Sequence, residues 1–126
     1  MRVSPEQVLE AYEKTGLTPC SGLLFVFNDD GVPYSACALG AAAIAKGLEV
    51  RQDHYSSSPS EILGVSLPYF SGFWQGFDGI EWFEEPDENN LPEDEQMREA
   101  HLGYIDGKRA YEALIEAGYN VFHEGP

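Results

Sequence analysis

Two segments carry glycines four residues apart, Gly72 with Gly76 and Gly103 with Gly107, and both run among aromatic side chains in stretches that read as helix. On a helix such positions lie on one face, one turn apart. Each glycine inside a helix costs about 1 kcal/mol relative to alanine, so four of them imply a compensating need. The simplest need is steric. Two helices cross with their glycines facing, the main chains approach closely, and Trp74, Phe77 and Tyr104 flank the junction. Gly40, Ala43 and Gly47 offer a third small face. The same glycines could instead admit a ligand or a partner's main chain near those rings.

Start and stop signals divide the rest of the chain. Ser4-Pro5-Glu6-Gln7 combines an N-cap serine, a first-turn proline and a capping-box glutamine, and Gly16 ends the segment. This predicts a helix over residues 5 to 15. Leu23 to Phe27, the turn Asn28-Asp29-Asp30-Gly31 and Val32 to Ser35 read as a hairpin near 23–35, with Pro33 suited to an edge. The rival is a helix-to-loop passage. Ala36 to Lys46 is helical by its alanines, Ser58-Pro59 and Ser66-Leu67-Pro68 open two further helices, and Asn90 with Glu93 caps a long one over 91 to 117. On that helix Met97, His101, Tyr104, Ile105, Tyr111, Leu114 and Ile115 trace the apolar face. The fold expected is mainly α: one acidic domain over 1–126, a bundle of four to five helices, with room for that hairpin. Residues 84–95 hold seven acids and no base, and read as a flexible loop.

Charge excludes one class of partner. The chain has 22 acids against 7 bases, a net of -15, and residues 77–126 alone hold 14 acids and 3 bases. Such a surface repels phosphate backbones, so direct nucleic-acid binding is not expected. No apolar run approaches the roughly 20 residues of a membrane helix, and no signal-peptide pattern opens the chain. A cytoplasmic protein with two reduced thiols, Cys20 and Cys37, follows.

No motif assigns chemistry. His54, His101 and His123 are scattered, Asp78, Glu81, Glu84 and Glu85 interleave with Ile80, Trp82 and Phe83 in no fixed ligand geometry, and Asn28-Asp29-Asp30-Gly31 lacks the flanking acids of a calcium loop, so neither metal nor cofactor is expected. Cys37, between alanines, reads as a small hydrophobe rather than a nucleophile. Two function classes remain. One is a protein-interaction or regulatory module acting through an aromatic surface, with a homodimer or a basic protein as partner. Its candidate contacts are Trp74, Phe77, Asp78, Trp82, His101, Tyr104 and Asp106. The other is a ligand binder or enzyme whose aromatic pocket gathers Asp78, Asp106 and His101. A nucleic-acid mimic is a third, weaker class. Convergence of those three polar groups on one concave site distinguishes the second class from the first.

Overall fold

A computed structural model describes residues 2–52 and 54–123. Helix α1 (Pro5–Thr15) starts at the expected signal: Ser4 Oγ accepts the Gln7 N–H at 3.2 Å, and the Gln7 side chain accepts the Ser4 N–H at 2.8 Å. Gly16, left-handed at φ 73°, closes it. Helices α2 (Ala38–Ala45), α3 (Pro59–Leu63) and α4 (Leu67–Phe77) follow, then the long α5 (Glu95–Glu116).

A purely helical bundle is not what forms. Among the described residues, five helices are joined by two small sheets, and the domain is mixed α/β. Strands β1 (Thr18–Ser21), β2 (Phe25–Phe27), β3 (Pro33–Ala36) and β6 (Phe122–His123) make a sheet ordered β2-β3-β1-β6. The β2–β3 pair is antiparallel, and its turn is held by Asn28 Oδ1, which accepts the N–H groups of Asp30 and Val32 at 3.0 Å each. Both neighbours of β1 run parallel to it. Strands β4 (Val50–Arg51) and β5 (His54–Tyr55) form the second sheet. None of these strands exceeds four residues, which is too short for an alternating pattern to register. The partners of β1 also come from distant parts of the chain, a pairing local signals do not encode. Pro33 does not mark an edge, because β3 lies between β2 and β1. It stands at the strand's first residue, ahead of the β1 ladder that begins at Ser35, where its missing N–H costs no bond.

Helix α2 is the hub. Residues 38–43 are all buried, and α1, α3, α4 and α5 pack around them. A helix enclosed on every side is apolar all round, and alanine keeps it thin enough for its neighbours to close in. Gly40 continues that logic: a Cβ there would stand 2.5 Å from the Leu24 carbonyl oxygen.

Helices α4 and α5 meet main chain to main chain. Gly72 lies against the Ala100 carbonyl and Gly76 against the Tyr104 carbonyl, while Gly103 faces the Tyr69 carbonyl and Gly107 the Phe73 carbonyl. A Cβ at any of the four would overlap the oxygen it faces. The contacts advance in the same direction along both helices, so the pair is parallel. Parallel neighbours cannot be joined by a tight turn. Residues 78–94 must instead travel back along the length of α4, about 16 Å at 1.5 Å per residue. That return leg displaces the start of α5. Its cap is Asp94, whose Oδ1 accepts the Met97 N–H at 2.9 Å, rather than Asn90. On the buried face of α5, Tyr104 and Leu114 lie inside as expected, joined by the small Gly103, Gly107 and Ala110, whereas Met97 and Ile115 are exposed. Among the described residues no helix is long and apolar enough to cross a membrane.

Alanine at Gly76 or Gly107 tests the contact. In an open helix the change stabilises by about 1 kcal/mol; here a Cβ would meet a backbone carbonyl that cannot swing aside, and overpacking at the top of its usual range, about 3 kcal/mol, outweighs the gain. The melting temperature of either variant is expected to fall by several degrees, and an unchanged or higher value would contradict main-chain contact at these positions.

Candidate functional site

Helix α4 carries large apolar side chains on two faces. Tyr69, Phe73 and Phe77 point inward and are buried. Leu67, Phe70 and Trp74 recur at helical spacing on the other side. Leu67 is 72% exposed, and the half-buried Phe70 and Trp74 rings meet edge to face at 6.2 Å. With Gly22, Gln75, Asp78 and Ile80 they line an open groove of about 540 Å³. Asp78 caps the C-terminus of α4 and accepts the Gly22 N–H at 3.0 Å, so the turn after β1 forms one wall.

The start of the return leg is strapped across the α4–α5 pair. Tyr104 donates its hydroxyl to the Ile80 carbonyl at 2.6 Å, and Trp82 Nε1 donates to Gln75 Oε1 at 2.7 Å. The Trp82 ring stacks on Tyr104 at 4.4 Å and meets His101 edge-on at 5.4 Å. His101 Nδ1 is buried in this packing without a hydrogen-bond partner.

Asp106 lies in a separate network. Arg2 grips it with two bonds, Nε to Oδ2 at 2.9 Å and Nη2 to Oδ1 at 2.7 Å, and the Tyr69 hydroxyl donates to Oδ2 at 2.6 Å. The same hydroxyl accepts the Val3 N–H at 2.7 Å. Burial raises the Tyr69 phenol well above its ordinary pKa, and its bond to Asp106 adds to the shift. The Asp106 carboxylate in turn holds Arg2 firmly protonated. Arg2 also reaches Glu88, which pairs with Arg109 at 2.6 Å, and Lys108 pairs with Glu85. Arg109 first, then Arg2, keeps the Glu88 carboxyl below its usual range. The acidic stretch contains no base of its own; these bases come from α5 and the N-terminal segment.

The expected site residues thus divide. Trp74 and Asp78 share the groove. Phe77 and Tyr104 are core side chains, Trp82 and His101 belong to the strap, and Asp106 binds Arg2 and Tyr69. Asp78, Asp106 and His101 each serve a different neighbour rather than one concave site. Cys20 and Cys37 are buried, and burial pushes the Cys37 thiol up to about 12, far from a nucleophile's range. Among the described residues no group of three or more His, Cys, Asp or Glu is arranged to hold a metal ion.

Sequence reasoning missed a second groove, of about 670 Å³, floored by Leu17, Ile44, Leu48 and Val50 beside the β4–β5 hairpin. The only local signal was Val50 and Tyr55 in a stretch otherwise polar. Its charged lining, Glu49, Arg51 and His54, carries both signs, so charge selects no occupant. No family model matches the chain, and neither a curated protein nor a solved structure shows a significant match.

Two measurements probe the Asp106 network. Asp106→Ala leaves the Tyr69 hydroxyl without its acceptor and Arg2 with the exposed Glu88 alone. It is expected to cost about 2–3 kcal/mol in urea unfolding, below the range for fully buried pairs because the Arg2 side chain keeps 40% exposure. On the alkaline side, the Tyr69 and Tyr12 phenols are raised above their ordinary value of 10.0. Their contribution is complete below that pH and is lost as pH climbs towards their folded pKa values. The urea midpoint should therefore fall steadily above pH 10, and a flat profile there would contradict the burial of both hydroxyls.

Proposed function

We propose that this chain is a small protein-interaction module, and that the groove on the outer face of α4 receives a basic, apolar-faced segment of another protein. One observation carries the reading: α4 presents Leu67, Phe70 and Trp74 outward although its inner face already completes the core against α5. An exposed leucine beside two half-buried aromatic rings at helical spacing suits a helix-in-groove mode, in which tryptophan is a frequent anchor. Charge narrows the occupant. The one charged lining residue is the acid Asp78, and the whole chain carries -15. Lysines or arginines beside the apolar anchors would be steered to this surface, whereas a second copy of the chain brings its own -15 to the seam.

The same charge opposes phosphate backbones, and direct nucleic-acid binding is not part of the reading. The setting that goes with it is the cytoplasm. The enzyme alternative drew on Asp78, Asp106 and His101 acting together. With their side chains committed to separate neighbours, it has less support than the interaction reading.

Two probe peptides test the groove: a helical peptide with leucine and phenylalanine on one face and lysine on the other, and its twin with glutamate for lysine. The lysine peptide is expected to bind, the glutamate twin not. Trp74→Ala should weaken binding at least about 10-fold with an unchanged far-UV spectrum. Equal affinity for both peptides, or indifference to Trp74→Ala, would defeat the proposal. So would a dimer in sedimentation equilibrium that Trp74→Ala dissociates, since the groove would then belong to a second copy.

A further inference from the structure

Cys20 and Cys37 are separated by 17 positions, and β1 pairs with β3 in parallel at the same offset: Thr18 stands opposite Ser35, and Pro19 opposite Ala36. The β1–β3 ladder ends there, and Cys20 pairs onward with Phe122 of β6; carried one residue further, the same offset would set Cys20 opposite Cys37. Cys20 lies within β1, and Cys37 follows β3 directly with extended backbone, φ -71° and ψ 171°. Paired strands lie about 4.8 Å apart, inside the Cα separation of roughly 4.4–6.8 Å that a disulfide spans. Alternation along each strand sends both side chains to the same face of the sheet. They enter one buried region, with Cys20 fully covered and Cys37 2% exposed. Burial first, with Cys20 adding to it, raises the Cys37 thiol, and burial, then Cys37 and Cys20, raise the Tyr12 phenol.

We infer that Cys20 and Cys37 are a redox pair, able to close a reversible disulfide between β1 and the start of α2. The oxidant is a low-molecular-weight disulfide of the glutathione class. One cysteine loses its proton and attacks a sulfur of the reagent. Its S–S bond breaks, a first thiolate leaves, and a mixed disulfide remains on the protein. The second cysteine, deprotonated in turn, attacks the protein sulfur of that mixed bond and expels the second thiolate. The protein has lost two electrons and two protons, and the reagent has become two thiols. Burial sets the rate. A thiol raised to about 12 holds little thiolate at neutral pH, so exchange in the native state waits on opening of the sheet. Among the described residues, the strand beyond β1 is the two-residue β6. In a refolding chain the thiols meet the reagent before the core closes.

The test refolds the unaltered full chain from guanidinium chloride in buffers of graded reduced-to-oxidised glutathione ratio. The oxidised product is expected to be a monomer lacking two hydrogens, with chymotryptic mapping that links Cys20 to Cys37 and a far-UV spectrum like that of the reduced chain. Its melting temperature should be higher by roughly 10 °C, as for closure of a short loop, and dithiothreitol should abolish the difference. Native protein in the same buffer should convert far more slowly. Cys20→Ala and Cys37→Ala should each take up at most one glutathione and show no such rise. Glutathione adducts or intermolecular dimers in place of the internal link would overturn the inference, as would a linked monomer that melts below the reduced form. The comparison of redox states uses the unaltered chain, so it decides the matter even if either variant folds poorly.

Discussion

The contact between the α4 and α5 main chains is the constraint on which the rest of the molecule turns. Four glycines let carbonyl groups of each helix enter space a side chain would otherwise hold. Close approach of this kind gathers dispersion along two whole backbones and brings Cα–H groups near facing carbonyls. Direction then has consequences. Because the helices run parallel, the chain leaving α4 must return before α5 can begin. The strap over Tyr104 and Gln75 and the late start at Asp94 both lie on that return leg.

The acidic segment gains partners from this arrangement. Its own residues supply only negative charge, yet α5 presents Lys108 and Arg109 to Glu85 and Glu88, and Arg2 arrives from the N-terminal segment. Such exposed pairs are individually weak. The Arg2–Asp106 bond differs because Asp106 is buried and its second partner, Tyr69, is itself held by the Val3 N–H. A buried carboxylate requires this kind of full pairing. The network joins three parts of the chain: the entry to α1, the inner face of α4 and the middle of α5.

Helix α4 explains why aromatic side chains are so dense around residues 69–83. One interior cannot hold them all. Those facing α5 complete the core, those on the return leg cover the helix pair, and Leu67, Phe70 and Trp74 remain outside. The density was visible in the sequence as an excess over what one buried face needs. Its division among three destinations was not, because that depends on which helix lies alongside and in what direction. The separate placement of Asp78, Asp106 and His101 was illegible for the same reason. Asp78 meets Gly22 and Asp106 meets Arg2, residues far away in the chain.

By itself the sequence determined the local structure. The ends of α1, the short α3, the start of α4 at Ser66 and the turn at Asn28 follow from capping side chains and glycines acting within a few residues of themselves. Its glycine spacing singled out the positions where bulk is excluded. Only the tertiary structure decided what spans the chain: the mixed sheet, the parallel sense of α4 and α5, and the register of β1 on β3. Capping and turn signals are short-range. Strands of two to four residues and helix partners are instead selected by burial and main-chain pairing, which exist only once distant segments have met.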